Sequence, residues 1–433
     1  MLNNSLLKNI LIYGGVTGAS RMLPILLLPF YLSAMPIEDY GRIEVLVALF
    51  NFIIILGSLQ LETAIQRYMY KVEDKLNYTY TILIATFSFS ILILLLTTIL
   101  SKKISFSLFD SGIESTNIRI IALCCVFYNL SSILMIYFRY SEQERIFYII
   151  TLSQVLITSV VTYLLVVVEK LANFGYVVGM FSGWLVVFLL SMTTILWSKR
   201  KFIGEIKPDL SILKLSINFA LPQIPARIGS FFIQFGNRFI VLSYFGSTTV
   251  ALLGLSVKFA APFQLLYIAF TMAWNPYLYK NETNDNLETK LNKILKLLLL
   301  FVLVSAVAIH YGSYWILDRY FQSGYKEVRS LIFIAILPSG LLIAKDILET
   351  GVRLSGKTKY ISQAYFLSVV VTILLMLSSK TVNNVLESTL VGTIILLLAT
   401  YYYSEKVYHF KYSRFVLYTL CALLIIALGN MII

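Results

Sequence analysis

The stretch TILIATFSFSILILLLTTIL, Thr81–Leu100, carries no charged side chain over twenty residues. A helix rises about 1.5 Å per residue, so this stretch is long enough to cross the ~30 Å hydrocarbon core of a bilayer. Similar runs recur along the chain, which has 433 residues, 58% of them apolar and 13% charged. Because soluble domains carry roughly 25% charged residues, the sequence predicts an all-α polytopic membrane protein.

Thirteen transmembrane spans are predicted, joined by loops too short to hold a soluble domain. They cover residues 6–32, 42–69, 78–100, 116–139, 146–168, 172–198, 211–245, 249–279, 288–311, 327–353, 358–379, 384–404 and 413–432. A charge-rich stretch, Lys199–Lys214, separates the first six spans from the next six. We therefore predict an N-terminal six-helix lobe at 1–200, a C-terminal six-helix lobe at 201–405 and an extra transmembrane helix at 406–433.

Spans 1 and 7 share a loose plan, in which arginine and proline lie close together before a long apolar tail. The two segments are GASRMLPILLLPF, Gly18–Phe30, and ALPQIPARIGSFF, Ala220–Phe232. Two lobes of six spans each have the same orientation, because six is an even number. The pattern therefore predicts parallel repeats with a substrate site in a central cavity between them.

The basic residues favour a cytoplasmic N-terminus. In that orientation the inner segments hold 21 Lys and Arg residues, the outer segments hold 9, and five lie inside spans. Cytoplasmic loops of membrane proteins are enriched in Lys and Arg. The formal net charge of +13 is therefore interpreted as an orientation signal, and nucleic acid is not an expected partner.

Basic residues inside the spans are candidates for anion binding. An arginine or lysine at the centre of a membrane helix costs at least about 2.5–3.5 kcal/mol, so we expect it to face partners or a wet cavity. Guanidinium groups bind phosphate through a bidentate fork, which suits an anionic substrate. The candidates are Arg21, Arg227, Arg238 and Lys258.

Arg21 and Arg227 have the strongest case, because few acidic residues lie at a matching depth. Arg238 follows Arg227 by eleven residues, and at 100° per residue a regular helix places both on one face. Arg238 is also close enough to its interface to snorkel.

A second group of charged residues is predicted to take part in coupling or gating. Its members are Glu62, Lys345, Asp346 and Glu349. The i, i+4 spacing of Lys345 and Glu349 fits an internal salt bridge equally well. Glu62, near the inner end of span 2, could also snorkel.

The segment GVRLSGKT, Gly351–Thr358, matches the Walker A pattern of nucleotide-binding proteins. A working phosphate loop follows a β-strand and opens a helix. Here the segment lies in a short turn between two predicted spans, and its glycines are better suited to ending a helix. We expect no nucleotide, and no cofactor or metal, because the two histidines stand alone and the three cysteines lack metal-ligand spacing.

Several segments resemble the polysaccharide flippases of bacterial O-antigen and capsule assembly, in the order in which that family has them. They are EDYGRIEVLVALF at Glu38–Phe50, LETAIQRYMY at Leu61–Tyr70, NFALPQIPARI at Asn218–Ile228, GNRFIVLSYFG at Gly236–Gly246, GLSVKFA at Gly254–Ala260 and GKTK at Gly356–Lys359. The same superfamily contains multidrug-and-toxin extruders and the lipid II flippase. One departure is Asn237, where the family has an acidic residue; if that acid pairs with the following arginine, Arg238 is freer here to face an anion or water.

The resemblance implies two six-helix lobes, alternating access and no enzymatic activity. It also implies an undecaprenyl-diphosphate-linked oligosaccharide as substrate, moved to the outer leaflet of the bacterial cytoplasmic membrane. Membrane lipid, a polysaccharide polymerase and chain-length proteins are the other implied partners. Aromatic residues would suit sugar faces, and the chain has 29 Tyr and 29 Phe.

Three alternatives stay open from the sequence. A cation-coupled small-molecule extruder would favour a carboxylate-rich cavity, and the excess of membrane Arg and Lys argues against it. A polymerase, ligase or glycosyltransferase would need paired carboxylates or a histidine with a carboxylate, and His310 with Asp318 and Arg319 is the one such cluster in the sequence. A channel would need a filter-like segment, and the sequence shows none.

Overall fold

Helices make up nearly all of the described chain, as the sequence predicted. The computed structural model describes residues 23–198, 207–267, 270, 287–321, 323–355, 357, 359–408 and 410–432, and no strand occurs among them. Arg21 lies outside these residues. The helices are α1 Leu23–Ala34, α2 Ile37–Ser58, α3 Leu61–Tyr68, α4 Lys75–Phe109, α5 Ser115–Tyr140, α6 Glu144–Tyr163, α7 Ala172–Ser198, α8 Leu210–Ala220, α9 Ile224–Phe231, α10 Asn237–Lys258, α11 at 261–267, α12 Leu287–Tyr320, α13 Val328–Leu348, α14 Thr350–Leu354, α15 Lys359–Leu377, α16 Val382–Val407 and α17 Arg414–Ile432.

Every predicted span overlaps at least one helix, and eleven helical segments of the described residues are long and apolar enough to cross a membrane. Several spans are interrupted, which the apolar pattern did not predict. Span 2 breaks between α2 and α3, and spans 7 and 8 meet at Gly246, where the backbone leaves the helical region (φ 78°). Turns of π-helix occur in span 5 at Leu164–Val168 and in span 7 at Phe232–Gly236.

The described residues divide into two compact units. The N-terminal unit comprises residues 23–228, and the C-terminal unit begins at Gly229. The N-terminal unit includes α8, which packs against α3 and α4. The lobe boundary at residue 200 rests on the order of the spans and stays a prediction.

In the N-terminal unit, α5 is the central helix and packs against α2, α4 and α7. Both α2 and α5 are mostly buried, whereas most residues of α4, α6 and α7 are exposed or only partly buried. The exposed side chains are large and apolar, as at Ile99 and Trp197, which are 78% and 79% exposed. Such surfaces suit a lipid solvent, because lipid removes the cost of leaving apolar groups in water.

In the C-terminal unit, α13 packs against α10, α12 and α16. Both α13 and α16 are mostly buried, whereas most residues of α12, α15 and α17 are exposed or only partly buried. The last helix, α17, is held at both of its ends. Asn292 of α12 bonds the backbone of Lys411 and Ser413, and Asn384 of α16 donates to the carbonyl oxygen of Met431.

A glycine permits close approach of α6 and α7. A Cβ built on Gly179 would lie 2.9 Å from the Cα of Thr162. We expect Gly179→Val to destabilise the protein by roughly 1–3 kcal/mol, because overpacking forces the backbone to shift. Thermal unfolding in detergent measures the loss. Gly312→Val is the matched control, since a Cβ at Gly312 meets nothing within 4 Å, and equal melting temperatures for the two variants would contradict the expectation.

Candidate functional site

The predicted anion-binding residues that the structure describes have three different surroundings. Arg227 lies on α9 in the N-terminal unit and is exposed. Arg238 and Lys258 lie near opposite ends of α10 in the C-terminal unit, where Arg238 is only 4% exposed and Lys258 is half-buried. Arg21 lies outside the described residues.

Arg238 is buried and bonded within its own helix. Its Nη1 donates to the carbonyl oxygen of Gln234 at 3.0 Å and to Oδ1 of Asn237 at 3.2 Å. The guanidinium carbon also lies 5.2 Å from the centre of the Phe235 ring. Asn237 thus accepts a bond from this arginine although it lacks the charge of the acidic residue usual in the family. We expected Arg238 to be freer to face an anion or water. In the structure it is instead buried and bonded to Gln234 and Asn237.

The winding of span 7 also differs from a regular helix. The shared face expected for Arg227 and Arg238 assumes 100° per residue throughout. The π-helical turn Phe232–Gly236 lies between the two arginines, and its i→i+5 bonding winds more slowly than an α-helix. The assumption behind the shared face therefore does not hold along this span.

The break in span 2 is formed by two consecutive residues in the left-handed region. Leu59 has φ 46° and Gln60 has φ 60°, a conformation that costs roughly 1–2 kcal/mol per residue for side chains other than glycine. Polar side chains satisfy the backbone nearby: Ser58 Oγ accepts from the Gln60 amide, and Ser90 Oγ donates to the carbonyl oxygen of Gly57. A strained and braced break inside a membrane helix is typical of functional sites.

Glu62 directly follows this break. Its Oε1 accepts a long bond from Nε2 of Gln60, at 3.4 Å, and its Oε2 is buried without a partner among the described residues. The Tyr128 hydroxyl lies within electrostatic range of both the Glu62 carboxylate and the Arg227 guanidinium. The Tyr128 ring packs against Trp184, with centroids 4.5 Å apart. The N-terminal unit thus combines a carboxylate, an exposed guanidinium and an aromatic pair.

In the C-terminal unit, the predicted coupling residues form one buried ionic cluster. Lys345 Nζ lies 2.8 Å from Glu349 Oε1 and 3.3 Å from Asp346 Oδ1. Arg353 Nη2 lies 2.7 Å from Glu349 Oε2 and 3.0 Å from Asp346 Oδ1. Two cations and two carboxylates balance one another, so the cluster carries no net charge. The internal salt bridge that the sequence offered for Lys345 and Glu349 is present.

Two tyrosines complete this cluster. Lys345 Nζ donates to the Tyr365 hydroxyl of α15 at 3.3 Å. Tyr412, which precedes α17, donates to the carbonyl oxygens of Ile347 and Leu348 at 3.2 and 3.1 Å. Burial raises the pKa of the Tyr412 hydroxyl, which keeps it protonated as a donor. These bonds satisfy carbonyls where α13 ends, so the cluster and the last helix are linked.

The Walker A match lies at a helix end. Gly351 and Arg353 belong to α14, which follows α13 directly, and Lys359 begins α15. The described residues before the match are therefore helical, where a phosphate loop requires a strand. The Gly351 amide donates to Ser404 Oγ at 3.0 Å, so this amide is used in packing α14 against α16.

Sequence reasoning missed several members of these clusters. Arg353 is not among the predicted site residues, although its i, i+4 spacing from Glu349 is a usable signal for an ion pair. Leu59 and Gln60 gave no signal for a break, because neither is glycine or proline. Tyr128 and Tyr365 could not be told from the many other tyrosines.

A comparison with protein families identifies the chain. The profile described as "Polysaccharide biosynthesis protein" matches residues 6–282. This is more than half of the 433 residues. The chain belongs to this polysaccharide biosynthesis family. A search of curated protein sequences finds no match.

Solved structures share the fold of this polysaccharide biosynthesis family member. The lipid II flippase MurJ in an inward closed conformation has a TM-score of 0.71 and 15% identity, over 98% of this chain and 92% of MurJ. A Vibrio cholerae MATE transporter has a TM-score of 0.67 and 13% identity, over 93% and 97% of the two chains. An inward-facing MATE transporter of the MOP superfamily has a TM-score of 0.63 and 12% identity, over 93% and 95%. The chain therefore has the fold of these flippase and transporter structures.

Proposed function

We propose that the protein moves a lipid-diphosphate-linked oligosaccharide repeat unit from the inner to the outer leaflet of the bacterial cytoplasmic membrane by alternating access. The observation that carries this proposal is Arg227, an exposed guanidinium within a predicted membrane span. No carboxylate of the described residues is in ion-pair contact with it. A guanidinium in that position matches the charge and the fork geometry of a diphosphate.

Arg21 is the second proposed contact for the diphosphate, and Lys258 a weaker third. Arg238 is proposed to support this end of α10 through its bonds to Gln234 and Asn237. For Lys345, Asp346 and Glu349 we propose bracing in place of ion coupling, because each carboxylate already has two cationic partners. Glu62 stays the proposed coupling or gating residue, because one of its oxygens is buried and lacks a partner among the described residues.

The two predicted lobes are supported by a glycine–threonine packing contact that occurs in both units. Gly179 packs against Thr162 across α6 and α7, which are spans 5 and 6. Gly392 packs against Thr372 across α15 and α16, which are spans 11 and 12. The same type of contact at equivalent places supports parallel repeats with lobes at 1–200 and 201–405. The order of the spans supports an additional helix at 406–433, and the excess of basic residues in the inner segments supports an N-terminus in the cytoplasm.

Deleting the gene tests the proposed function. Completed single repeat units should accumulate on the lipid carrier and face the cytoplasm, where an impermeant glycosidase or lectin cannot reach them in intact cells. Repeat units found outside but unpolymerised would refute the flippase, and would favour a partner role beside the polymerase and chain-length proteins. Intact surface polysaccharide would instead favour an extruder of small molecules. The comparison of O-antigen with capsule in the same strain would identify which polysaccharide is carried.

A further inference from the structure

Arg67 is an exposed arginine that rests on an aromatic pair. It lies on α3, just after the break in span 2. Its guanidinium carbon is 4.2 Å from the centre of the Phe219 ring on α8 and 5.6 Å from that of Tyr68. The two rings meet edge to face at 5.8 Å. A guanidinium that stacks on a ring keeps its N–H donors in the plane, where they can point at a ligand.

The aromatic pair is itself well supported. Tyr68 and Phe219 both pack against the buried core of the N-terminal unit, which includes Ile65, Met69 and Leu134. Stacking on a fixed surface reduces the number of conformations of the arginine side chain, which lowers the entropy that a ligand must overcome to order it.

The donors of Arg67 are not used by a carboxylate. Among the described residues, no acidic side chain is in ion-pair contact with Arg67; its described contacts are the two rings. The next basic residue, Lys71, is exposed and lies four positions further along the chain. Among the described residues, Arg67 is therefore positioned by two aromatic rings and not by a carboxylate.

Arg67 and Arg227 are connected through span 7. Phe219 and Arg227 are eight residues apart on α8 and α9, both within the N-terminal unit, which is a rise of roughly 12 Å. Gln223 lies halfway between them, and its Nε2 donates to the carbonyl oxygen of Phe219. The guanidinium of Arg67 thus lies against span 7 at Phe219, and Arg227 lies further along the same span.

We propose that Arg67 is a phosphate-binding position, pre-organised by Phe219 and Tyr68. Its ligand is the phosphate ester of a membrane lipid, either the lipid-linked diphosphate or an anionic phospholipid headgroup. If the ligand is the lipid-linked diphosphate, the inference rests on the proposed function. Arg67 then binds the diphosphate at a different stage of transport from Arg227. In the second case Arg67 holds a bulk lipid at the edge of the N-terminal unit.

Native mass spectrometry of the purified protein in detergent distinguishes these ligands. Undecaprenyl diphosphate and phosphatidylglycerol are titrated separately against the wild type, Arg67→Ala, Arg67→Lys and Phe219→Leu. We expect Arg67→Ala to weaken undecaprenyl diphosphate binding about tenfold, because it removes a charge-assisted fork. Arg67→Lys should recover part of the loss, and Phe219→Leu should show an intermediate loss. Arg139→Ala is the control, since Arg139 is also exposed and stacks on a ring, that of Tyr140, at 5.7 Å.

The outcomes distinguish the phosphate site at Arg67 from the proposed function of the protein. A loss confined to undecaprenyl diphosphate assigns the site to the substrate, and a loss confined to phosphatidylglycerol assigns it to bulk lipid. Unchanged binding of both lipids in Arg67→Ala, or an equal loss in Arg139→Ala, overturns the phosphate site. If the wild type itself fails to bind undecaprenyl diphosphate while Arg67→Ala loses phosphatidylglycerol, the proposed function fails and the site stands.

Discussion

Arg227→Ala is expected to abolish surface polysaccharide while the protein stays in the membrane at the wild-type level. The side chain is exposed within a predicted span, without a carboxylate in ion-pair contact among the described residues. Hydrogen bonds to charged groups contribute about 1.5–3 kcal/mol each, so loss of a bidentate fork to a diphosphate lowers binding by roughly a hundredfold or more. Surface polysaccharide by immunoblot of intact cells and protein level in isolated membranes are the two measurements.

Two further variants separate substrate binding from internal charge balance. Arg227→Lys keeps the charge but lacks the fork, so export should fall without disappearing. If Arg227 only balanced Glu62, which shares the Tyr128 neighbourhood, the double variant Glu62→Gln/Arg227→Ala would restore export. Restoration, or unchanged export in both Arg21→Ala and Arg227→Ala, would remove the assignment of these arginines to the substrate.

Lys345→Met is expected to be the most destabilising of the single changes considered. Lys345 is 7% exposed, and Asp346 and Glu349 are each 2% exposed. Without the lysine the two carboxylates share only Arg353, and breaking a buried ion pair from one side costs about 3–5 kcal/mol. Thermal unfolding in detergent should show a large fall in melting temperature, together with less protein in the membrane.

A control variant at another lysine and a double variant test the cause of the lost stability in Lys345→Met. Lys380 is exposed, so Lys380→Met should leave the melting temperature near that of the wild type. The double variant Lys345→Met/Glu349→Gln removes one negative charge with the positive one, and should recover part of the stability. A Lys345→Met protein that unfolds like the wild type but no longer exports polysaccharide would assign the cluster to coupling and contradict its bracing role.

The spans could be predicted from the sequence because a bilayer requires about twenty apolar residues per helix, whatever else those residues do. The Lys345–Glu349 pair could be predicted for a similar reason, since i, i+4 spacing is fixed by the helix itself. Both features depend on local geometry alone. The spacing of apolar and charged residues along the chain was therefore enough to predict them.

The break at Leu59 and Gln60 could not be predicted, because its cause lies outside span 2. Neither residue favours the left-handed region, and the turn is held by contacts with distant residues such as Ser90. The burial of Arg238 could not be predicted for a similar reason, since α10 packs against the distant helices α13 and α16. The charge of the arginines and their position within the spans identified them as candidates. Their burial and their partners depend on how the helices pack, which the sequence pattern does not give.

The position of the four cluster charges along the chain has a consequence for the biosynthesis of the protein. Lys345, Asp346, Glu349 and Arg353 all lie within nine consecutive residues of span 10, and their ion pairs form within that segment. A nascent segment that is already helical can neutralise itself before any other span is present, so it meets the lipid as an uncharged unit. The translocation machinery can then insert span 10 without a partner helix in the membrane. These charges therefore place no requirement on the order in which the later spans are inserted.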